Sequence, residues 1–130
     1  MADWNALHRY IKSEYKIASD DLNSVKLIFN LDNNRTQLVV VEKAGEVGDS
    51  EWAVISTAVC DENQINPKDA LIRSSQMVVG GLALVDGGPV IFRHSIRLAE
   101  LDPGEFEEPL RVAAVFGDKL EQELSGADSY

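Results

Sequence analysis

Cysteine, histidine and proline are scarce in this chain of 130 residues, which contains one Cys, two His and four Pro. A single cysteine excludes an intrachain disulfide and a cysteine-rich zinc site. The longest apolar stretch, residues 77–85, contains two glycines and is about half the ~20 residues that a membrane-spanning helix needs. The first residues, with no basic segment followed by an apolar one, do not resemble a signal peptide. We therefore predict a cytoplasmic protein without a membrane partner.

Positive charge is also scarce. The chain carries 12 Lys and Arg against 22 Asp and Glu, a formal net charge of −10. Nine of the acidic residues but only two of the basic ones lie in residues 99–130, so this segment alone contributes −7. Nucleic-acid binding depends on patches of Lys and Arg that neutralise phosphates. We therefore predict no nucleic-acid partner.

Ordinary globular composition is what remains. The chain is 45% hydrophobic and 26% charged, as soluble folded domains are, which excludes a disordered acidic tail. Its length suits one domain over residues 1–130 that buries about two-thirds of its unfolded surface.

Residue periodicity predicts the order of the elements. Apolar residues of the first segment recur at helical spacing, with Asp3 as the N-cap, and Ser19-Asp20-Asp21 is the predicted break. Alternating or continuous apolar runs at 25–31, 35–43, 51–60, 77–85 and 89–96 predict five strands. Turn sequences at 32–34, 44–49 and 86–88 join neighbouring strands, which indicates an antiparallel sheet.

Two further helices complete the prediction. Asn66-Pro67 starts a short helix, as an N-cap followed by Pro at the first helical position. Asp102-Pro103-Gly104-Glu105 is a capping-box start for a long helix that Gly126 ends, and Pro109 is expected to kink it or to divide off its first turn. The fold class is therefore α+β, a five-stranded antiparallel sheet with helices in the order α-β-β-β-α-β-β-α.

Catalytic and metal-binding residues are not evident. The only histidines are His8 and His94, and no Gly-x-Ser-x-Gly elbow is present. Cys60 ends an apolar strand, where a cysteine usually serves as a small buried hydrophobe. Asp32-Asn33-Asn34 lacks the Gly and the closing Glu of a calcium loop. We predict no catalytic residue, no metal and no cofactor.

Two other patterns have ordinary structural explanations. The pairs Gly80-Gly81 and Gly87-Gly88 precede no helix, so a bulge or close backbone approach and a hairpin explain them better than a phosphate site. The acidic residues at the start of the last helix complement its dipole. The rest of that acidic helix is a solvated face or a docking surface for a basic partner.

The only clustered cations are Arg93 and Arg97, with His94 between them. Alternation along the strand places His94 on the face of Phe92 and the two arginines on the other face. These residues either are solvated and pair with neighbouring acids or contact an anion.

The second half of the chain resembles the bacterial YbjN family, and the order of elements resembles the type III secretion chaperone-like fold. The similar segments are Ala70–Arg73, Gly80–Leu84, Val90–Ser95, Leu98–Pro103, Phe106 and Asp118–Leu124, within about residues 68–125. The first half agrees in element order only, and Pro109 departs from the uninterrupted helix of the family. The resemblance implies an acidic, non-catalytic, dimeric domain that binds segments of other proteins or acts in regulation.

Strands that are apolar on both faces suggest where a partner binds. We expect the helices to leave Ile28, Val39, Val41 and Ile55 uncovered, either as a site for a client peptide or as a homodimer interface. The leading hypothesis is a non-enzymatic protein- or peptide-binding module that acts as a homodimer. The alternatives are a small-molecule sensor or small enzyme with a pocket near Arg93 and His94, and a structural subunit of a larger complex.

Overall fold

The computed structural model describes residues 1–125, apart from the side chain of Asn33, and shows an α+β fold with an antiparallel sheet. The helices are α1 (Trp4–Glu14), α2 (Pro67–Ser75) and α3 (Pro103–Leu124). The strands are β1 (Ile17–Asp20), β2 (Ser24–Asn30), β3 (Thr36–Val47), β4 (Ser50–Cys60), β5 (Gly81–Leu84) and β6 (Val90–Arg97). Gly126, the predicted end of α3, lies outside the described residues.

The sheet has six strands in the order β1-β2-β3-β4-β6-β5, so the prediction of five strands is wrong. The additional strand is β1, which pairs antiparallel with β2 and extends into the predicted break. Only Ile17 of its four residues is partly buried. Such a short edge strand has no alternating apolar pattern, because pairing of its backbone and not burial of its side chains holds it in place.

Helices α1 and α3 pack on one face of the sheet, here called the inner face. Trp4, Leu7 and Ile11 of α1 are buried, and the Tyr10 ring meets Phe106 of α3 edge-on at 6.2 Å. Phe92 of β6 packs against Phe116 of α3 at 5.3 Å. The buried side chains of the two helices and of β2, β3, β4 and β6 form one hydrophobic cluster.

The helix starts are those that the sequence predicts. Asp3 accepts a hydrogen bond from the Ala6 N–H at 2.8 Å, and Asn66 accepts one from the Lys68 N–H at 2.8 Å. At α3 the Asp102 side chain accepts from the Glu105 N–H at 2.8 Å, which completes the predicted capping box. Helix α3 runs through Pro109 without interruption. The proline therefore does not divide the helix, because it removes only one intrahelical N–H donor.

The strand predicted at 77–85 is shorter than expected and starts at Gly81. Gly80 has a positive φ of 68°, and a Cβ there would lie 2.6 Å from the Arg93 carbonyl oxygen. The predicted close backbone approach at this glycine pair is confirmed. Residues 77–80 therefore form a connection that lies beside α3 rather than a part of the sheet.

No helix within residues 1–125 is long and apolar enough to cross a membrane.

Candidate functional site

Three of the four residues predicted to bind a partner lie in the core. Val39, Val41 and Ile55 are 0% exposed on the inner face, where Val41 pairs with Ile55 across β3 and β4. The expectation that the helices leave them uncovered is wrong, because α1 and α3 cover this face. Ile28 lies on the opposite face, called the outer face, and is half-buried beside Leu38. Of the four residues, only Ile28 therefore lies on the face of the sheet away from α1 and α3.

The cluster of cations on β6 is divided by the strand's alternation. His94 pairs with Ile55 on the inner face, whereas Arg93 pairs with Ser56 and points to the outer face. Arg97 donates to Ser50 Oγ at 3.0 Å and lies 3.6 Å from Asp49. The structure does not bring Arg93 and His94 into one pocket among the described residues.

His94 lines a cleft of about 330 Å³ between β6 and the first turns of α3. Glu105, Glu108 and Pro109 contribute to its wall, and Arg97 reaches it from the end of the strand. Burial lowers the pKa of the His94 imidazole, so the ring is predominantly neutral at pH 7. This cleft is the place where the small-molecule alternative would have its site.

A buried polar cluster joins α3 to the strand β3. Arg35, just before β3, contacts Asp118 at 2.7 Å and Glu121 at 3.5 Å. The buried Gln37 side chain donates to Thr57 Oγ1 at 2.6 Å and to the Ala58 carbonyl at 3.2 Å. These groups have little contact with solvent; the Arg35 ion pairs hold α3 against the sheet, and the Gln37 hydrogen bonds join β3 to β4. No local sequence signal predicts the cluster, because Arg35 and Asp118 are separated by 83 residues.

A groove runs between α3 and the connection that precedes β5. It has a volume of about 430 Å³, and Met77, Val78, Val79, Val112 and Phe116 provide its apolar lining. Arg73, Lys119 and Glu123 lie at its rim, and Arg73 pairs with Glu123 at 3.1 Å. We call this feature the α3 groove.

Exposed aliphatic side chains concentrate around this groove and α2. Among the described residues, eight large hydrophobic side chains are exposed, and six of them lie in α2, in β5 or the connections around it, or in α3. They are Leu71, Ile72, Val78, Leu84, Val85 and Val115. Val78, at the groove, is 100% exposed. Leu71 and Leu84 line one pocket, and with Ile72 and Val85, their neighbours in sequence, they make up what we call the α2 surface; exposed apolar patches are typical of interaction sites.

The sequence does not predict the α3 groove because of the apolar run that contributes to its lining. The apolar run at 77–85 predicts a single strand, in which Met77 and Val78 would alternate within the sheet. The connection instead places Met77 against the core and leaves Val78 in solvent. Gly80 itself is the signal in the sequence, because glycine readily adopts the positive φ observed there. It marks the break that precedes the start of the strand at Gly81.

Neither a reactive thiol nor a cluster of metal ligands is present in the described part of the chain. Cys60 is buried, and burial raises the pKa of its thiol, which disfavours the reactive thiolate. No three His, Cys, Asp or Glu side chains of residues 1–125 are grouped so that they could hold a metal ion.

Comparison with known proteins identifies no relative of this chain. The chain matches no protein-family model, no curated protein and no solved structure, so the resemblance to YbjN and the secretion chaperones stays a prediction.

Proposed function

We propose that this chain is a non-enzymatic, cytoplasmic protein-binding module that holds an apolar segment of a partner protein in the α3 groove and acts as a homodimer. The observation that carries the proposal is the concentration of exposed aliphatic side chains around α2 and the groove. Burial of apolar surface contributes about 25 cal/mol of stabilising free energy for each Å² removed from water, and these exposed side chains do not make that contribution in the chain alone. A partner that covers them recovers that free energy.

The shape of the α3 groove supports a segment rather than a flat protein surface as its occupant. Its floor is Phe116, which Phe92 supports from the core, and Val78 and Val112 line its sides. Aromatic anchors supported from below give apolar binding sites their affinity. The paired Arg73 and Glu123 at the rim add polar groups that can orient a bound backbone.

The α2 surface supports the homodimer. In an antiparallel pair of α2 helices whose two-fold axis passes Leu71, the Leu71 side chains of the two copies face each other. Leu71, which is 72% exposed, then packs against its own equivalent. A two-fold interface requires such self-complementarity, since the same patch serves both copies.

Peptide selection tests the α3 groove. Peptides selected from a random library against the wild-type protein are expected to lose at least about 10-fold in affinity on Val78→Glu, because a charge at the rim opposes burial of an apolar segment. The control is Val47→Glu, at another exposed valine (66% exposed) at the end of β3, which is expected to leave affinity unchanged. Selection of no peptides, or equal losses for both variants, would show that the groove is not a binding site.

Light scattering at several concentrations tests the homodimer. We expect twice the chain mass for the wild type and the single-chain mass for Leu71→Glu. Leu22→Glu is the matched control, since Leu22 is an exposed leucine far from α2 in the chain. A monomer at every concentration, or a dimer that survives Leu71→Glu, contradicts this interface.

A further inference from the structure

Within residues 1–125 no helix packs on the outer face of the sheet, which is a second apolar surface. Helices α1 and α3 pack on the inner face, and α2 lies at the β5 edge. Ile28, Leu38 and Val40 on the outer face are half-buried, and Val54 is buried. Sheets with an apolar face generally bury it against a layer of helices or a second sheet.

The charge of this face is opposite to that of the chain. The ionisable side chains at the outward positions of β2, β3, β4 and β6 are Lys26, Glu42, Arg93 and Arg97. Three of the four are basic in a chain of net charge −10. Arg97 has Asp49 as its partner, but within residues 1–125 neither Lys26 nor Arg93 has a carboxylate at ion-pair distance.

The two unpaired cations belong to one row across the sheet. Lys26 pairs with Val40, Val40 with Ser56, and Ser56 with Arg93. Lys26 and Arg93, at the two ends of this row, are three strand spacings apart, a distance of about 14 Å. Beside it runs a row without charge, in which Ile28 pairs with Leu38, and Ala58 and Ala83 both pair with Ile91.

We propose that the outer face binds an acidic amphipathic helix of another protein, which lies across the strands. Its apolar stripe packs on the row of Ile28, Leu38 and Ile91, and two carboxylates on one side of the stripe reach Lys26 and Arg93. Residues three turns apart on a helix are separated by about 16 Å, which matches the spacing of the two cations. A layer of helix on an uncovered sheet also restores the usual architecture of such folds.

Charge argues against a second copy as the occupant. A two-fold axis parallel to the strands and through the middle of the row places Lys26 of one copy opposite Arg93 of the other. Like charges in direct opposition are unfavourable. An acidic helix instead supplies both cations with the partners that they lack.

Two synthetic helical peptides test the proposal with the full chain. Both have a leucine stripe over about 18 residues, five turns of helix. One carries Glu at two positions three turns apart beside the stripe, and the other carries Lys there. We expect the wild type to prefer the Glu peptide by about 10-fold, since two exposed ion pairs are involved, and the preference to shrink at high salt.

Charge reversal identifies the surface. Lys26→Glu/Arg93→Glu is expected to reverse the preference to the Lys peptide. Arg9→Glu/Lys68→Glu changes the net charge equally at exposed positions of α1 and α2 and is expected to preserve the preference for the Glu peptide. Val78→Glu is also expected to preserve it, so this result is independent of the α3 groove.

Three outcomes overturn the proposal. One is equal affinity for the two peptides, or no binding of either. Another is a preference that Lys26→Glu/Arg93→Glu leaves unchanged. The third is a wild-type dimer that Val40→Asp dissociates, which would make a second copy the occupant of the outer face.

Discussion

Gly117 of α3 lies directly against Thr57 of β4, so closely that a Cβ atom at position 117 would overlap the Thr57 methyl group. The threonine is not free to rotate away. Its hydroxyl donates to the Leu38 carbonyl at 2.7 Å and accepts from Gln37 at 2.6 Å. The absence of a side chain at Gly117 thus sets how near α3 can approach the sheet.

The first prediction concerns this contact. Gly117→Ala is expected to destabilise the protein by up to about 2 kcal/mol, because overpacking costs about 1–3 kcal/mol and the better helix propensity of Ala offsets about 1 kcal/mol of that cost. Urea unfolding measures the loss. Gly104→Ala, in the exposed first turn of α3, is the control and is expected not to destabilise the protein. Thr57→Ser removes the methyl group and should reduce the cost of Gly117→Ala; equal costs in both backgrounds would contradict the overlap.

The second prediction separates backbone strain from close approach at two glycines. Gly80 and Gly87 have nearly the same φ, 68° and 66°, but only Gly80 lies against other atoms, with the Arg93 carbonyl 2.6 Å from a Cβ. Alanine at either position is expected to lower the free energy of unfolding by about 1 kcal/mol, because the left-handed backbone conformation is unfavourable for a residue with a side chain. Gly80→Ala is expected to cost at least about 1 kcal/mol more. Equal urea midpoints for the two variants would show that the backbone at Gly80 adjusts freely.

The third prediction compares a buried ion pair with an exposed one. Arg35→Met leaves Asp118 and Glu121 without their cation in a largely buried site, and we expect a loss of about 3–5 kcal/mol in the free energy of unfolding. Arg111→Met breaks the pair with Glu107, at 2.6 Å but in solvent, and is expected to cost at most about 1 kcal/mol. Similar losses for the two variants in denaturant unfolding would contradict the structural role of the buried cluster.

The fourth prediction is a pH dependence. The Glu105 backbone N–H donates to Asp102 and lowers the pKa of that carboxyl in the folded state. A folded-state pKa below the unfolded value of about 3.9 contributes stability at neutral pH that disappears as pH falls through the folded-state pKa. Asp102→Asn retains a capping side chain without this titration, so its stability should fall less than that of the wild type between about pH 5 and pH 2.

Unfolding at a series of pH values provides the measurement for this prediction. Asp86→Asn removes the same charge in the exposed hairpin turn and is expected to keep the acid sensitivity of the wild type. If Asp102→Asn loses stability with the wild-type profile, the N-cap carboxylate makes no contribution to that sensitivity.

Local sequence signals predicted the parts of the fold that depend on neighbouring residues. The N-caps at Asp3, Asn66 and Asp102 were correct because a capping bond joins residues two or three apart. The alternation of β6 was also correct, with His94 inward and Arg93 outward, because the pleat of a strand fixes it. The scarcity of positive charge is equally a property of the sequence, and the prediction of no nucleic-acid partner rests on it alone.

Only the tertiary structure decided which apolar residues are covered. Val39 and Ile28 both lie in apolar strands, but α1 and α3 cover the face of Val39, and no local pattern specifies on which face a distant helix packs. The same holds for Lys26 and Arg93, 67 positions apart in sequence, which only the register across three strand pairs brings into one row. The sequence determined most of the elements and the inward and outward sides of the strands. Long-range packing, driven by burial of apolar area rather than by local geometry, determined which apolar surfaces remain exposed.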